Sequence, residues 1–210
     1  MIGGWHLRHR FRRSFAEARP RARGNVSEPT WIWPDAPNRP ITWGSACTGS
    51  NGDLVVAKCM VEAYRAAGLT IFDVIPKFSC EIVAPKQQWA EKVSAALFPD
   101  AEAACSFSDI MDLQGDYAMC RTHGRKCVVP SVDVFVCCTS CRDFCRWSGP
   151  NGLVLLQSSS TGGSAQTFAG FLKYLEKHRP SMVLFENVDS MEDKVAPNFL
   201  QSGLGIRAAG

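Results

Sequence analysis

The sequence predicts an α/β protein built on a mostly parallel sheet with flanking helices. Three observations carry that expectation. From Ile41 onward, short apolar runs alternate with stretches of helical spacing, the pattern of βαβ units. Val132 to Cys138 forms the clearest strand, an apolar run of the kind buried on both faces. Glycine-rich or acidic residues stand directly after the strand runs, where sheets of this type bind their ligands.

Taken in order, Ile41 to Gly44 suits a first strand, followed by a Gly/Ser/Asn turn. Asp53 to Ala67 reads as a helix with Leu54, Val55, Ala57, Cys59 and Val61 at helical spacing, stopped by Gly68. Phe72 to Glu81 gives a second strand region and Lys86 to Leu97 a second helix, carrying Trp89, Val93 and Leu97. Ala103 to Phe107 is a short third strand, separated from that helix by Pro99. After Val132 to Cys138, Gln166 to His178 reads as a helix with Phe168, Phe171, Leu172 and Leu175 along one face. Met182 to Phe185 is the strand that follows. No internal repeat is visible.

Composition sets the bounds. The 210 residues, 46% hydrophobic and 20% charged, suffice to bury one sizeable core, and one globular domain is expected. No run approaches the ~18 consecutive apolar residues of a membrane span, and the N-terminal stretch is too charged for a secretory signal. The expectation is a soluble intracellular chain. Its formal charge of +3 is uneven: Met1 to Gly24 holds seven arginines against Glu17, leaving a negative balance on the rest. A basic arm of this kind gathers phosphate backbone without reading sequence, and it also suits a targeting peptide or a solvated tail. With Pro20, Pro29, Pro34, Pro37 and Pro40, residues 1–40 read as a disordered arm and linker, 41–200 as the domain, and 201–210 as an unassigned tail.

Five segments bear on chemistry. Cys47-Thr48-Gly49-Ser50-Asn51-Gly52 follows the first strand and opens the first helix, and its Gly and Asn residues tolerate the positive φ of a loop whose backbone approaches a ligand. Glu81 ends the second strand, where a carboxylate accepts hydrogen bonds from both hydroxyls of a ribose, although it stands farther along than the usual ~20 residues after a glycine loop. Asp109 follows the third strand, placed for an adenine amino group or simply for capping a helix. Val134 to Cys145 is a strand ending in a loop crowded with thiols. Glu186-Asn187-Val188 follows the last strand.

The ten cysteines are scattered through strands and helices, unlike a small secreted disulfide scaffold, so most are expected to be inert core residues. Cys120, His123, Cys127, Cys137, Cys138, Cys141 and Cys145 offer soft ligands for zinc. They lack the paired CxxC knuckles of strong zinc motifs, and no metal is expected.

In order, these segments resemble the cytosine-C5 DNA methyltransferases, whose catalytic domain is a Rossmann-like fold dependent on S-adenosylmethionine (SAM). The family's loop phenylalanine-Ser-Gly-any-Gly-Gly is similar to Cys47 through Gly52. Its ribose-binding acid corresponds to Glu81, beside Ile82, and its adenine-contacting aspartate to Asp109, beside Ile110. Its catalytic loop, Gly-Gly-any-Pro-Cys-Gln-any-Phe-Ser after a strand beginning with Asp, aligns with Cys137 through Cys145 after Asp133. That register selects Cys141 as nucleophile. Departures are Cys137-Cys138 for the Gly pair, Ser140 for Pro, Arg142 for Gln and Cys145 for Ser. Glu-Asn-Val, preceded in the family by a helix and a proline, appears as Glu186-Asn187-Val188 after Pro180.

The resemblance covers about Ile41 to Asp189 and implies SAM as cofactor and DNA with a flipped-out cytosine as partner. It implies no membrane association and supplies no protein partner; the location would be the nucleus in a eukaryote and the cytoplasm otherwise. Cys141 would add to cytosine C6, and Glu186, with Asn187 beside it, would relieve charge at N3. The family continues with an arginine-bearing strand, a target-recognition region and a returning helix. Asn198 to Gly210 matches none of these, so the domain is expected to be incomplete on its C-terminal side, a truncated or inactive copy. A tRNA cytosine-C5 methyltransferase, or a zinc- or nucleic-acid-binding protein on a decayed scaffold, are the alternatives.

Overall fold

A computed structural model describes residues 39–68, 73–142 and 163–188. Residues 1–38, residues 69–72 with Phe72, residues 143–162 with Cys145, and residues 189–210 with both the Asn198–Gly210 segment and the 201–210 tail lie outside the described residues.

Among the described residues seven strands form one sheet: β1 (Ile41–Ala46), β2 (Val74–Cys80), β3 (Cys105–Phe107), β4 (Tyr117–Cys120), β5 (Arg125–Val128), β6 (Val134–Cys138) and β7 (Met182–Glu186). Their spatial order is β5-β4-β3-β2-β1-β6-β7. Strands β1, β2, β3, β6 and β7 run parallel, while β4 and β5 pair antiparallel at one edge. Among the described residues three helices connect them: α1 (Gly52–Ala66), α2 (Ala84–Leu97) and α3 (Ser164–His178). A 3₁₀ turn, Ile110–Gln114, links β3 to the edge hairpin.

Local chemistry sets the helix ends. Asp53 sits in the first turn of α1 and Arg65 in its last, both favourable to the helix dipole. Gly68, at φ 74°, supplies the left-handed stop expected from the sequence. Pro85 opens α2, where a missing N–H costs nothing. Helix α3 carries Lys177 and His178 in its last turn and begins two residues before the expected Gln166.

The two faces of the sheet hold separate cores. On one, Leu54, Ala57 and Val61 of α1 pack with Val74, Trp43 and Leu97. On the other, Phe78, Phe107 and Phe135 meet Phe168, Phe171 and Tyr174 of α3, with Phe135 and Tyr174 ring centroids 4.2 Å apart. Tyr174 keeps its hydroxyl satisfied by donating to the Pro130 carbonyl at 2.8 Å. Val74 and Phe78 lie four apart yet face opposite cores, which a regular strand forbids. The pairing explains it: Trp43 faces Pro76 and Gly44 faces Phe78, so Lys77 is an inserted residue and β2 bulges beside a proline that lacks an N–H.

Gly44 is required at that bulge. A Cβ there would lie 2.7 Å from Phe78 Cζ, and the Phe78 ring is boxed in by Phe107, Phe135 and Tyr174. Gly44→Ala is expected to destabilise the fold by about 1–3 kcal/mol. Urea unfolding followed by circular dichroism should show a lower midpoint with the slope unchanged; an unchanged midpoint would show that the aromatic cluster yields.

The strand runs expected at Ile41–Gly44, Phe72–Glu81, Ala103–Phe107, Val132–Cys138 and Met182–Phe185 all overlap observed strands, with shifted ends. The β4–β5 hairpin was not expected. All four residues of Tyr117–Cys120 are apolar although exposure alternates along them, so no period of two is legible, and Arg125-Lys126 reads as a polar loop.

Candidate active site

The order of strands reverses between β1 and β6, and loops at the carboxyl ends of the parallel strands converge there. Five strand ends supply residues: Cys47–Gly52 after β1, Glu81–Val83 after β2, Ser108 and Asp109 after β3, Thr139–Arg142 after β6, and Asn187–Val188 after β7.

The loop after β1 is tightly wound. Cys47, Gly49 and Asn51 all have positive φ, at 58°, 68° and 54°. Two of the three are not glycine, a costly geometry that persists because the surroundings fix it. Cys47 N donates to the Cys80 carbonyl at 2.8 Å, Ser50 N to the Thr48 carbonyl at 2.8 Å, and Thr48 Oγ1 to Asn51 Oδ1 at 3.1 Å. Asn51 is buried and its Nδ2 donates to the Ala90 carbonyl of α2 at 3.4 Å. Gly52 begins α1, and Asp53 next to it accepts from both Trp43 Nε1 and Ser45 Oγ through Oδ2. Asp53 Oδ1 is buried without a partner.

Glu81 is only 8% exposed, and its carboxylate accepts from Gly49 N at 3.1 Å and Val83 N at 3.0 Å. The acid after β2 therefore holds the loop after β1 directly. Ile82, by contrast, is exposed. Asp109 accepts from Met111 N at 2.9 Å and caps the 3₁₀ turn. The Ile110 side chain is buried beneath α3, where Cγ2 would lie 2.9 Å from a Cβ placed on Gly170, so its backbone is the part that remains for a ligand.

At the ends of β6 and β7, Cys138 and Glu186 are register partners. Burial, followed by the Glu186 carboxylate, pushes the Cys138 thiol up to about 11, which keeps it protonated at neutral pH. Cys137, wholly buried beside Cys47, is also raised, chiefly by burial. Cys141, three residues beyond the strand, is exposed. The segment leading to it is pinned from two sides. Asn187 Nδ2 donates to Thr139 O at 3.2 Å and to Thr139 Oγ1 at 2.8 Å, and Val188 N donates to Asn187 Oδ1 at 2.8 Å. Ser140 Oγ lies 2.9 Å from Ser164 Oγ at the start of α3. The Asn187 side chain thus holds the loop after β6, a contact that no local signal in the sequence could disclose.

Of the seven zinc ligands weighed from sequence, Cys137, Cys138 and Cys141 belong to this strand end, and Cys145 lies outside the described residues. Cys120, His123 and Cys127 lie on the edge hairpin instead, together with Cys105 of β3, which sequence reading had not included.

A sheet of this order, with a wound loop after β1 clasped by an acid after β2 and a thiol loop after β6 held by the end of β7, defines an α/β protein whose candidate ligand site lies at its switch point. No protein-family model matches the chain. A curated relative, "DNA (cytosine-5-)-methyltransferase DMT5" of Cryptococcus neoformans var. grubii, is 29% identical over 174 residues. The alignment takes in 78% of this chain and 6% of the relative, so the chain spans only a small part of that protein's length.

Proposed function

We propose that this chain is the cofactor-binding and nucleophile-bearing part of a cytosine-C5 DNA methyltransferase domain. The observation that carries the reading is the pairing of Cys138 with Glu186, which sets the Cys141 loop and the Glu186-Asn187-Val188 end side by side at the switch point. Similarity to the fungal methyltransferase supports it independently.

The donor and acceptor set fits SAM. A carboxylate has about four acceptor positions, and Glu81 gives two to Gly49 N and Val83 N, leaving two for ribose hydroxyls. Asp109 uses Oδ1 on Met111 N, leaving Oδ2 for an adenine amino group. Cys47 through Gly52 would approach the cofactor with backbone, and the orphaned Asp53 Oδ1 would welcome a donor nearby. Bound there, SAM supplies an electrophilic methyl group.

The chain's own residues do the rest. The Cys141 thiolate forms a bond to cytosine C6, and the displaced electron pair is accommodated at N3, where Glu186 donates a proton. C5 then carries the electron density needed to take the methyl group. Removal of the C5 proton by a base expels Cys141, and N3 returns its proton to Glu186. The target atom lies inside the duplex, so the base must first leave the stack, at a cost of roughly a few kcal/mol.

Binding of SAM and methyl transfer to duplex DNA and to tRNA test the reading. Wild-type chain is expected to bind SAM, and Glu81→Ala to bind it at least about tenfold more weakly; equilibrium dialysis with labelled SAM measures both. Transfer to tRNA but not DNA would reassign the substrate, and absence of SAM binding would overturn the proposal.

A further inference from the structure

We propose that the sheet edge carries a structural zinc site formed by Cys105, Cys120, His123 and Cys127, independent of the methyltransferase reading. The four ligand atoms lie within 4.8 Å of one another. His123 Nδ1 is 3.2 Å from Cys120 Sγ, 3.5 Å from Cys127 Sγ and 3.7 Å from Cys105 Sγ.

Hydrogen bonding does not account for three sulfurs around one nitrogen. A neutral imidazole nitrogen accepts a single hydrogen bond or donates one, so at most one of the three contacts is satisfied that way. A shared metal satisfies all of them. Tetrahedral zinc, with Zn–S near 2.3 Å and Zn–N near 2.05 Å, places its sulfur and nitrogen ligands about 3.6 Å apart. The observed distances bracket that value. Three soft thiolates and one imidazole, with no place left for water or substrate, are the donor set of a closed structural zinc centre rather than a catalytic one.

The placement also gives the metal a task. Each of the three edge strands contributes one sulfur, and the turn between β4 and β5 contributes the histidine. Cys120 and Cys127 point the same way because Cys127 pairs with Ala118, two residues from Cys120 on β4. Gly124, at φ 62°, closes the turn so that His123 faces back toward them. Among the described residues the backbone ties the hairpin to β3 at few points, one ladder pair, Phe107 with Cys120, and Arg121 N donating to the Ser106 carbonyl at 2.8 Å, beside the buried side chains of Ala118 and Cys120, while β5 has no such anchor. An isolated two-stranded hairpin is marginal in water. Zinc would clasp β3, β4 and β5 into one unit, each thiol releasing its proton as its Zn–S bond forms.

The test is the metal content of the purified full-length chain by mass spectrometry, with X-ray absorption at the zinc edge. One zinc per chain is expected, with a shell of three sulfurs near 2.3 Å and one nitrogen near 2.0 Å. Cys127→Ser and Cys105→Ser are expected to lose the zinc, and Cys59→Ser, on the exposed side of α1, to keep it. The absorption spectrum needs no substitution, so misfolding of a variant leaves the proposal testable. Wild-type chain free of zinc, a shell of different composition, or zinc retained in both Cys127→Ser and Cys105→Ser would overturn it.

Discussion

Cys141→Ser is expected to abolish covalent capture of duplex DNA carrying 5-fluorocytosine and to lower methyl transfer by a factor on the order of 10⁴ to 10⁶, the scale of losing a covalent nucleophile. With fluorine at C5 there is no proton to remove after methyl transfer, so the Cys–C6 bond persists and the adduct is visible on a denaturing gel. A serine hydroxyl in the same position is far less nucleophilic than a thiolate at neutral pH. Cys138→Ser is the informative comparison. Cys138 is the thiol in register with Glu186, but burial and that carboxylate keep it protonated, whereas Cys141 is exposed on the loop. Cys138→Ser should therefore retain the adduct. If Cys138→Ser loses it while Cys141→Ser keeps it, the nucleophile has been assigned to the wrong thiol.

Asp133→Ala should cost about 2–4 kcal/mol of stability, the scale of stripping partners from hydrogen-bonded groups in a fold. Asp133 is where three strands begin together. Its carboxylate accepts from Thr42 N at 2.8 Å and Thr42 Oγ1 at 2.7 Å, its N–H donates to Thr42, and its carbonyl accepts from Met182 N at 2.8 Å. Arg39 adds a two-point contact from solvent, at 2.6 and 2.7 Å. That Arg39 contact, followed by the Thr42 hydrogen bonds, holds the Asp133 carboxyl well below the usual range despite some burial. A depressed folded pKa means that this contribution is fully present above the unfolded value near 4 and is lost as pH falls through the folded value. Wild-type and Asp133→Asn chains should therefore differ most at neutral pH, the difference shrinking as pH falls below about 4 and closing only once pH passes the depressed folded value. Thermal unfolding across pH measures it; a constant difference would mean that the carboxylate's charge contributes nothing.

The placement of Asp133 shows how far sequence reaches. As the residue opening an apolar strand it was visible, but its binding of Thr42 spans 91 positions and joins strands that only the sheet order makes neighbours. The same holds for the candidate site. The strand-end positions of Gly49, Glu81, Asp109, Cys141 and Glu186 were legible because alternating strand and helix signals locate strand ends. That Glu81 grips Gly49 N, that Ile110 turns into the core, and that Asn187 pins Thr139 were not, because each depends on contacts between elements.

Sequence by itself determined the alternation of strands and helices, the double burial of β6, and the concentration of reactive residues at strand ends. Each follows from local periodicity and turn chemistry. Tertiary structure alone decided which thiols meet. Cys120, His123 and Cys127 lie within one hairpin, but their fourth partner, Cys105, joins them through the pairing of β3 with β4. The choice of strand partner is non-local and leaves no period in the chain, whereas the side-chain alternation that fixes a face does.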